Sequence, residues 1–373
     1  MLNNQLLNYQ LLNYQLQDRL AMRLLSLLCL LTLLATDIDV SAAQTESLPV
    51  RITQQTSGVK EASFRGLAVR NKNEAWVSGS QGTIMRTTDA GQTWVRCELP
   101  GLELLDFRDV EVLKDGSVLA MSIGNGDASR IIRSSDSGKS WKTVLTNADP
   151  DGFFDGMTFG SDDKTGVLFG DPINGRIDLY RTRDAGQTWQ RVAEARRPEL
   201  QKGEYAFAAS GTGVVLIGKN IWIATGGSTA RIHHSPDDGH TWNVYDTPIR
   251  SGNESSGIFS VEFLDANNGV AIGGDYLKPS LDSKNVATSI DGGKTWKLSP
   301  AVLMPHKACV RSLGHNRLLT CGRTGVAFSA NGGQAWTTVS PAGYFTLAVD
   351  RQSGTGFLAG KDGRIARFEL SKK

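Results

Sequence analysis

An eight-residue phrase, TTDAGQTW at 87–94, recurs five more times as SSDSGKSW, TRDAGQTW, SPDDGHTW, SIDGGKTW and SANGGQAW, which begin at Ser134, Thr182, Ser235, Ser289 and Ser329. Measured at Asp89, Asp136, Asp184, Asp237, Asp291 and Asn331, the copies lie 47, 48, 53, 54 and 40 residues apart. A period of roughly 40–50 residues is that of a four-stranded propeller blade. The first unit shows such a blade: FRGLAV, EAWVSGS, GTIMRTT and QTWVRCEL are four short apolar or alternating runs with turn residues between them. A second phrase, VSGSQGTIMR from Val77, returns as LAGKDGRIAR from Leu358, where the chain stops before another box. The sequence therefore specifies an all-β, seven-bladed β-propeller of four-stranded blades, six carrying the box and the last cut short after its third strand.

The box falls between the third and fourth strands of each blade. An Asp in a tight turn accepts from backbone N–H groups, and a Gly two residues later adopts positive φ without a steric penalty. The Trp that follows offers a large apolar face for burial between blades. These features make Asp89, Asp136, Asp184, Asp237, Asp291 and Asn331 structural turns. Asn331 supports this, because it keeps the local hydrogen bonding while losing the charge a metal ion would need.

Boxes of the form S/T-x-D-x-G-x-T-W are the hallmark of the Asp-box (BNR) repeat families, which include the sialidases. The arrangement here resembles the photosystem II stability/assembly factor family and its bacterial relatives, over nearly the whole chain after the leader. That resemblance implies an exported, non-enzymatic propeller that binds another protein. The alternative it leaves open is a sialidase-like glycan hydrolase on the same fold, which would use a Tyr nucleophile, a helping carboxylate and an arginine cluster. Glu204-Tyr205 and Asp275-Tyr276 supply such pieces, whereas SFRGLAV at Ser63 is only a faint echo of the arginine signature, and the repeat already accounts for Arg65 as a strand residue.

Residues 1–43 read as leader and signal peptide, and 44–373 as one propeller domain. Arg23, an apolar run from Leu24 to Ala35, and the small residues Ser41-Ala42-Ala43 place a cleavage site before Gln44. The run is shorter than the roughly 20 apolar residues that span a bilayer. The expectation is a periplasmic or extracellular monomer, soluble after cleavage or peripheral to a membrane. A net charge of +2 with no long basic block excludes the electrostatic footprint of a nucleic-acid binder. There is no strand–GxGxxG–helix unit, no CxxC pair and no haem motif, so no cofactor is expected. His233 and His234 are adjacent on a strand and point to opposite faces, which leaves no metal site. Cys309 and Cys321 are equidistant from His315 in a hairpin; they either bridge or remain two buried thiols.

Function is expected on the face opposite the boxes, where loops break the repeat. The loops leading into first strands and those joining second to third strands supply the candidates Asp127, Arg130, Asp155, Asp171, Arg176, Glu204, Ser256, Asp275, Tyr276 and Arg323. Finally, the truncated last unit leaves Arg364–Leu370 without a neighbour, and PVRITQQ from Pro49 alternates as a strand should. The segment 50–55 is expected to pair there and close the ring.

Overall fold

The computed structural model describes residues 49–299 and 304–371; the leader and cleavage site expected from the sequence fall outside the described residues. Seven antiparallel sheets follow one another along the chain. Blade 1 comprises Phe64–Val69, Ala75–Gly79, Thr83–Thr87 and Val95–Arg96, and blade 2 comprises Asp106–Val112, Val118–Ile123, Arg130–Ser134 and Lys142–Thr146. Blade 3 runs through Phe154–Phe159, Gly166–Ile173, Arg176–Thr182 and Gln190–Arg191. Blades 4, 5 and 6 begin at Val214–Ile217, Ser256–Phe263 and Cys309–Gly314. In blade 7, Thr346–Asp350, Thr355–Ala359 and Arg364–Leu370 come from the C-terminus, and Val50–Thr56 is its outermost strand.

That seam forms in the expected register. Val50 pairs with Leu370, Ile52 with Phe368 and Thr56 with Arg364, so the ladder is one residue longer than the sequence suggested. Val50 is buried beside Phe368 and Leu347. Arg51 forms an ion pair with Glu369, the Gln54 amide donates to the Tyr344 hydroxyl, and Gln55 Nε2 donates to the Ala90 carbonyl at 3.0 Å. The last bond ties the seam to the box of blade 1. A strand edge that would otherwise expose a row of backbone groups is thereby covered.

The hydrophobic core is divided among the interfaces between blades. One cluster joins each neighbouring pair, from Trp76 with Phe107 between blades 1 and 2 to Phe64 with Phe357 between blades 1 and 7. Toward the axis, innermost strands are stitched to their neighbours by polar side chains. The Met157 amide donates to Asp109 at 2.8 Å, Val310 to Ser260 at 3.0 Å and Ser312 to Glu262 at 3.1 Å.

Every box makes the same turn. In the first, Thr87 Oγ1 donates to Asp89 Oδ1 (2.8 Å), which also accepts from the Thr93 amide (2.9 Å), while the Thr93 hydroxyl donates to Oδ2 (2.6 Å). Asp136, Asp184, Asp237 and Asp291 repeat this arrangement. The sixth box differs at two positions together. Ala335 replaces the Thr that would donate to the second oxygen, and Asn331, which needs only one acceptor oxygen, replaces Asp. The Trp residues do reach between blades: Trp94 meets Phe357 of blade 7 edge-on at 5.5 Å, and Trp141 meets Trp76 of blade 1 at 6.3 Å.

Cys309 and Cys321 are direct partners across their hairpin, but the bridge is not formed; both are buried free thiols in the cluster between blades 6 and 7. The two histidines diverge as a strand requires. His233 meets Glu204 at 2.9 Å, and His234 stacks on Trp222 and meets Asn220.

These features lead to several expectations. Removing residues 1–56 should abolish cooperative thermal unfolding, and a synthetic 49–56 peptide added in trans should restore it; an unchanged melt without the segment would refute the lock. Trp189→Ala should destabilise by about 3–5 kcal/mol, as for other buried aromatic truncations, measured by denaturant titration. Asn331→Asp with Ala335→Thr should raise the melting temperature more than Asn331→Asp alone, and equal effects would refute the second bond. The turn hydrogen bonds, chiefly from Thr93, Ser140 and Thr241, hold Asp89, Asp136 and Asp237 at about 2. Carboxylates lowered in the folded state stabilise it above their unfolded value near 4 and lose that contribution as pH falls through 2. The acid limb of a stability–pH curve should therefore fall between about pH 4 and 2.

Candidate functional site

The register within each blade separates the two faces. In blade 1, Phe64 pairs with Gly79 and Gly79 with Thr83 at one end, while Ala75 pairs with both Val69 and Thr87 at the other. The box follows Thr87, so it lies at the end away from the start of the first strand. The same alternation in blades 2, 3 and 5 puts Asp127, Asp155, Asp171 and Asp275 on the face opposite the boxes. Glu204 lies with them, through a short pairing with Gly227 in the loop between the second and third strands of blade 4.

On this face the axis opens into a concavity of about 450 Å³. Its inner wall is built by one repeated irregularity. First strands lose register with their second strands between Phe64 and Gly66, Phe107 and Asp109, Phe154 and Gly156, and Ile258 and Ser260. The skipped residues are Arg65, Arg108, Asp155 and Phe259, and all four line the concavity. A bulge inserts one residue and re-aims its side chain; repeated around a ring, it directs four side chains to one place.

Going round the ring, the lining changes character. Arg323 of blade 6, Phe345 of blade 7, Arg65 of blade 1 and Arg108 of blade 2 form a basic arc. Arg65 lies over the Phe345 ring, 4.0 Å from its centroid, and burial with Arg108 nearby lowers its pKa to about 10. Arg108 is already neutralised by Asp106 through two bonds of 3.0 and 2.9 Å. Arg65 and Arg323 donate to the carbonyls of Ala209 and Tyr276, and neither forms an ion pair among the described residues. Blade 3 contributes Asp155 and Asp171, and blades 4 and 5 an aromatic arc in which Phe207 stacks on Phe259 at 4.1 Å, with Tyr205 and Tyr276 edge-on.

The blade 4 part of this wall is held by an unusual extension. Glu204–Tyr205 and Gly226–Gly227 pair with one another, and Gly226 pairs with Gly257, making the sheet of blade 5 six-stranded. A Cβ on Gly226 would lie 2.7 Å from the Gly257 Cα, so only glycine permits this approach.

Of the ten residues singled out in the sequence, Asp155, Asp171, Tyr276 and Arg323 line the concavity. The other six have different occupations. Asp127 and Arg130 pair with each other, and Arg176 pairs with Glu199 at 3.1 Å. Glu204 is buried against Arg231, Thr225 and His233, and hydrogen bonds from the latter residues hold its pKa near 2 against the cost of burial. Ser256 donates to the Asn253 carbonyl. Asp275 caps its own loop, accepting from Ser255 and from the amides of Leu277 and Lys278. Arg65, set aside in the sequence as a plain strand residue, belongs to the site, as do the unmentioned Arg108 and Phe259. The signal available was the second position of the aligned phrases FRG, FRD, FDG and IFS.

The two Tyr–carboxylate pairs singled out in the sequence do not assemble. The carboxylates of Glu204 and Asp275 are committed elsewhere, so neither Tyr205 nor Tyr276 is partnered by its sequence neighbour. The Tyr205 hydroxyl donates to the Glu254 carbonyl, and burial raises its pKa to about 12, the opposite of what a nucleophile needs.

No protein-family model matches the chain. It is 25% identical over 250 residues to the photosystem II assembly lipoprotein Ycf48 of Synechococcus sp. (strain CC9902); the alignment spans 64% of this chain and 63% of that protein. Among solved structures, a YCF48 bound to a D1 peptide superposes with a TM-score of 0.61 at 16% identity, covering 87% of this chain and 96% of the other. A streptogramin B lyase superposes with a TM-score of 0.58 at 12% identity, covering 86% and 98%. At such identities the two structures speak for the fold alone. The chain is thus a seven-bladed β-propeller that resembles the photosystem II assembly factors.

Proposed function

We propose that this protein is an exported, non-enzymatic assembly factor that holds an extended peptide segment of a partner protein in the concavity opposite the boxes. The observation that carries the reading is the basic arc, in which Arg65 and Arg323 present guanidinium groups with no carboxylate partner among the described residues. Guanidinium groups bind carboxylates with directional, charge-assisted bonds, and an acidic side chain or C-terminus of a peptide would supply them. Tyr276, Leu277 and Leu281, exposed by 38%, 70% and 38%, add apolar surface on one blade 5 loop of this face, of the kind that protein partners cover. The likeness to a YCF48 that binds a D1 peptide supports the same use of the fold.

Titration with the D1 peptide, carrying a free or an amidated C-terminus, tests this. A charge-assisted bond contributes about 1.5–3 kcal/mol, so the free acid should bind at least about tenfold more tightly. Arg65→Gln combined with Arg323→Gln should remove that preference while leaving the melting temperature nearly unchanged. Equal binding of both peptides by the unmodified protein would overturn the reading. Export rests on the sequence of the leader: N-terminal sequencing of the mature protein should begin at Gln44, and a retained leader would refute it.

A further inference from the structure

Next round the ring from Arg108, the concavity holds a pair of carboxyl groups that the proposed function leaves unused. Asp155 and Asp171 rise on either side of the paired residues Phe154 and Gly170, each next to a register shift. Asp171 Oδ1 accepts from the Ala206 amide at 3.3 Å. Asp155 is 2% exposed, lines the concavity, and its Oδ2 has no hydrogen-bond partner among the described residues. A buried carboxyl with a structural role is normally satisfied by the protein's own donors; this one faces the cavity without them. Ala206 sits between Tyr205 and Phe207, so aromatic rings flank the pair, and Phe207 carries Phe259 on its face. Ring faces beside carboxylates attract organic cations.

We infer that Asp155 and Asp171, with the aromatic wall of Tyr205, Phe207 and Phe259, form a subsite for a primary ammonium group of the bound peptide. This rests on the peptide-binding reading above and completes it: the ligand is dipolar, with a carboxylate on the arginine arc and an ammonium at blade 3. The charge of Arg108 is felt by Asp155, but burial and Asp171 outweigh it, and the guanidinium itself is bound to Asp106. An ammonium brings three donors and a positive charge to two adjacent acids. The source is either a lysine side chain or a free N-terminus.

Proton linkage gives the subsite a signature that a purely structural pair would lack. Burial pushes Asp171 up to about 6, and burial with Asp171 beside it holds Asp155 well above its ordinary range. The unliganded pair therefore retains a proton near pH 6, and an arriving ammonium expels it. Of the other groups lining the cavity, His306 is lowered by burial to about 4 and is uncharged at that pH, Arg65 is lowered only to about 10, and Glu254 is exposed.

Three tripeptides with free C-termini test the inference by calorimetry on the full mature protein: Ac-Ala-Ala-Lys, Ala-Ala-norleucine and Ac-Ala-Ala-norleucine. The last keeps the carboxylate and the chain length but has no ammonium. One of the first two should bind at least tenfold more tightly than the third, which also identifies the source. That peptide should release about one proton at pH 6, measured across buffers of different ionisation enthalpy. Asp155→Asn and, separately, Asp171→Asn should abolish both the preference and the proton release without weakening the third peptide. Equal affinities for all three, or tighter binding without proton release, would overturn the ammonium subsite. If carboxylate dependence persisted in that case, the peptide-binding reading would stand alone; no binding of any peptide would overturn both.

Discussion

Closure of the ring is the constraint on which everything else in this protein rests. Seven sheets can share a central axis only if the first and last blades meet, and here they meet through Val50–Thr56 laid against Arg364–Leu370. The ladder joins segments about 318 positions apart in sequence. Loop-closure entropy grows only logarithmically, by about 0.6 kcal/mol per doubling. Over a separation of this size the logarithm still amounts to a few kcal/mol more than a hairpin, a cost already met once the intervening blades have packed and brought the two strands together. Its value lies in what it prevents: without it, Arg364–Leu370 would be a bare edge, and blades 1 and 7 would have no fixed relation.

With the ring closed, a local irregularity becomes a site. A single bulge on a flat sheet merely turns one side chain. Repeated at equivalent positions in blades around an axis, it places Arg65, Arg108, Asp155 and Phe259 at one mouth. The scaffold and the chemistry are thus separable. The boxes fix the far ends of the blades with hydrogen bonds that are nearly the same in each copy, and the residue at the bulge is free to be basic, acidic or aromatic. Partition of the mouth into a basic arc, an acid pair and an aromatic arc follows from that freedom.

Much of this was legible in the sequence, for a physical reason. The box must satisfy the same turn six times, so its letters are nearly invariant, and their spacing reports the blade count. Alternation in PVRITQQ and the missing fourth strand of the last unit were enough to place the seam to within one residue. The concavity was harder to read, because bulges break the two-residue period by which strand side chains are assigned to faces. Arg65 looked explained by its strand, although the register shift turns it into the cavity. Glu204 erred the other way: it sits in an irregular loop beside Tyr205, yet Arg231 and His233 draw its carboxylate into the interior. Asp155 and Asp171 were found because the sequence around them is rich in turn residues and reads as loop; both stand on strands of blade 3, beside register shifts that the turn-like composition betrays.

Division of the core among seven interfaces has a mechanical consequence. In an open row of modules, an end module is released by breaking one contact, and fraying can proceed from either end. In this ring there is no end. Detaching any blade requires two interfaces to part together, such as the Phe64–Phe357 and Trp76–Phe107 clusters that flank blade 1. The least stable interface is therefore protected by its neighbours, and the protein should resist partial unfolding until it yields as a whole. That all-or-none behaviour suits a mouth assembled from residues of separate blades, since no single wall can loosen while the others stay in place.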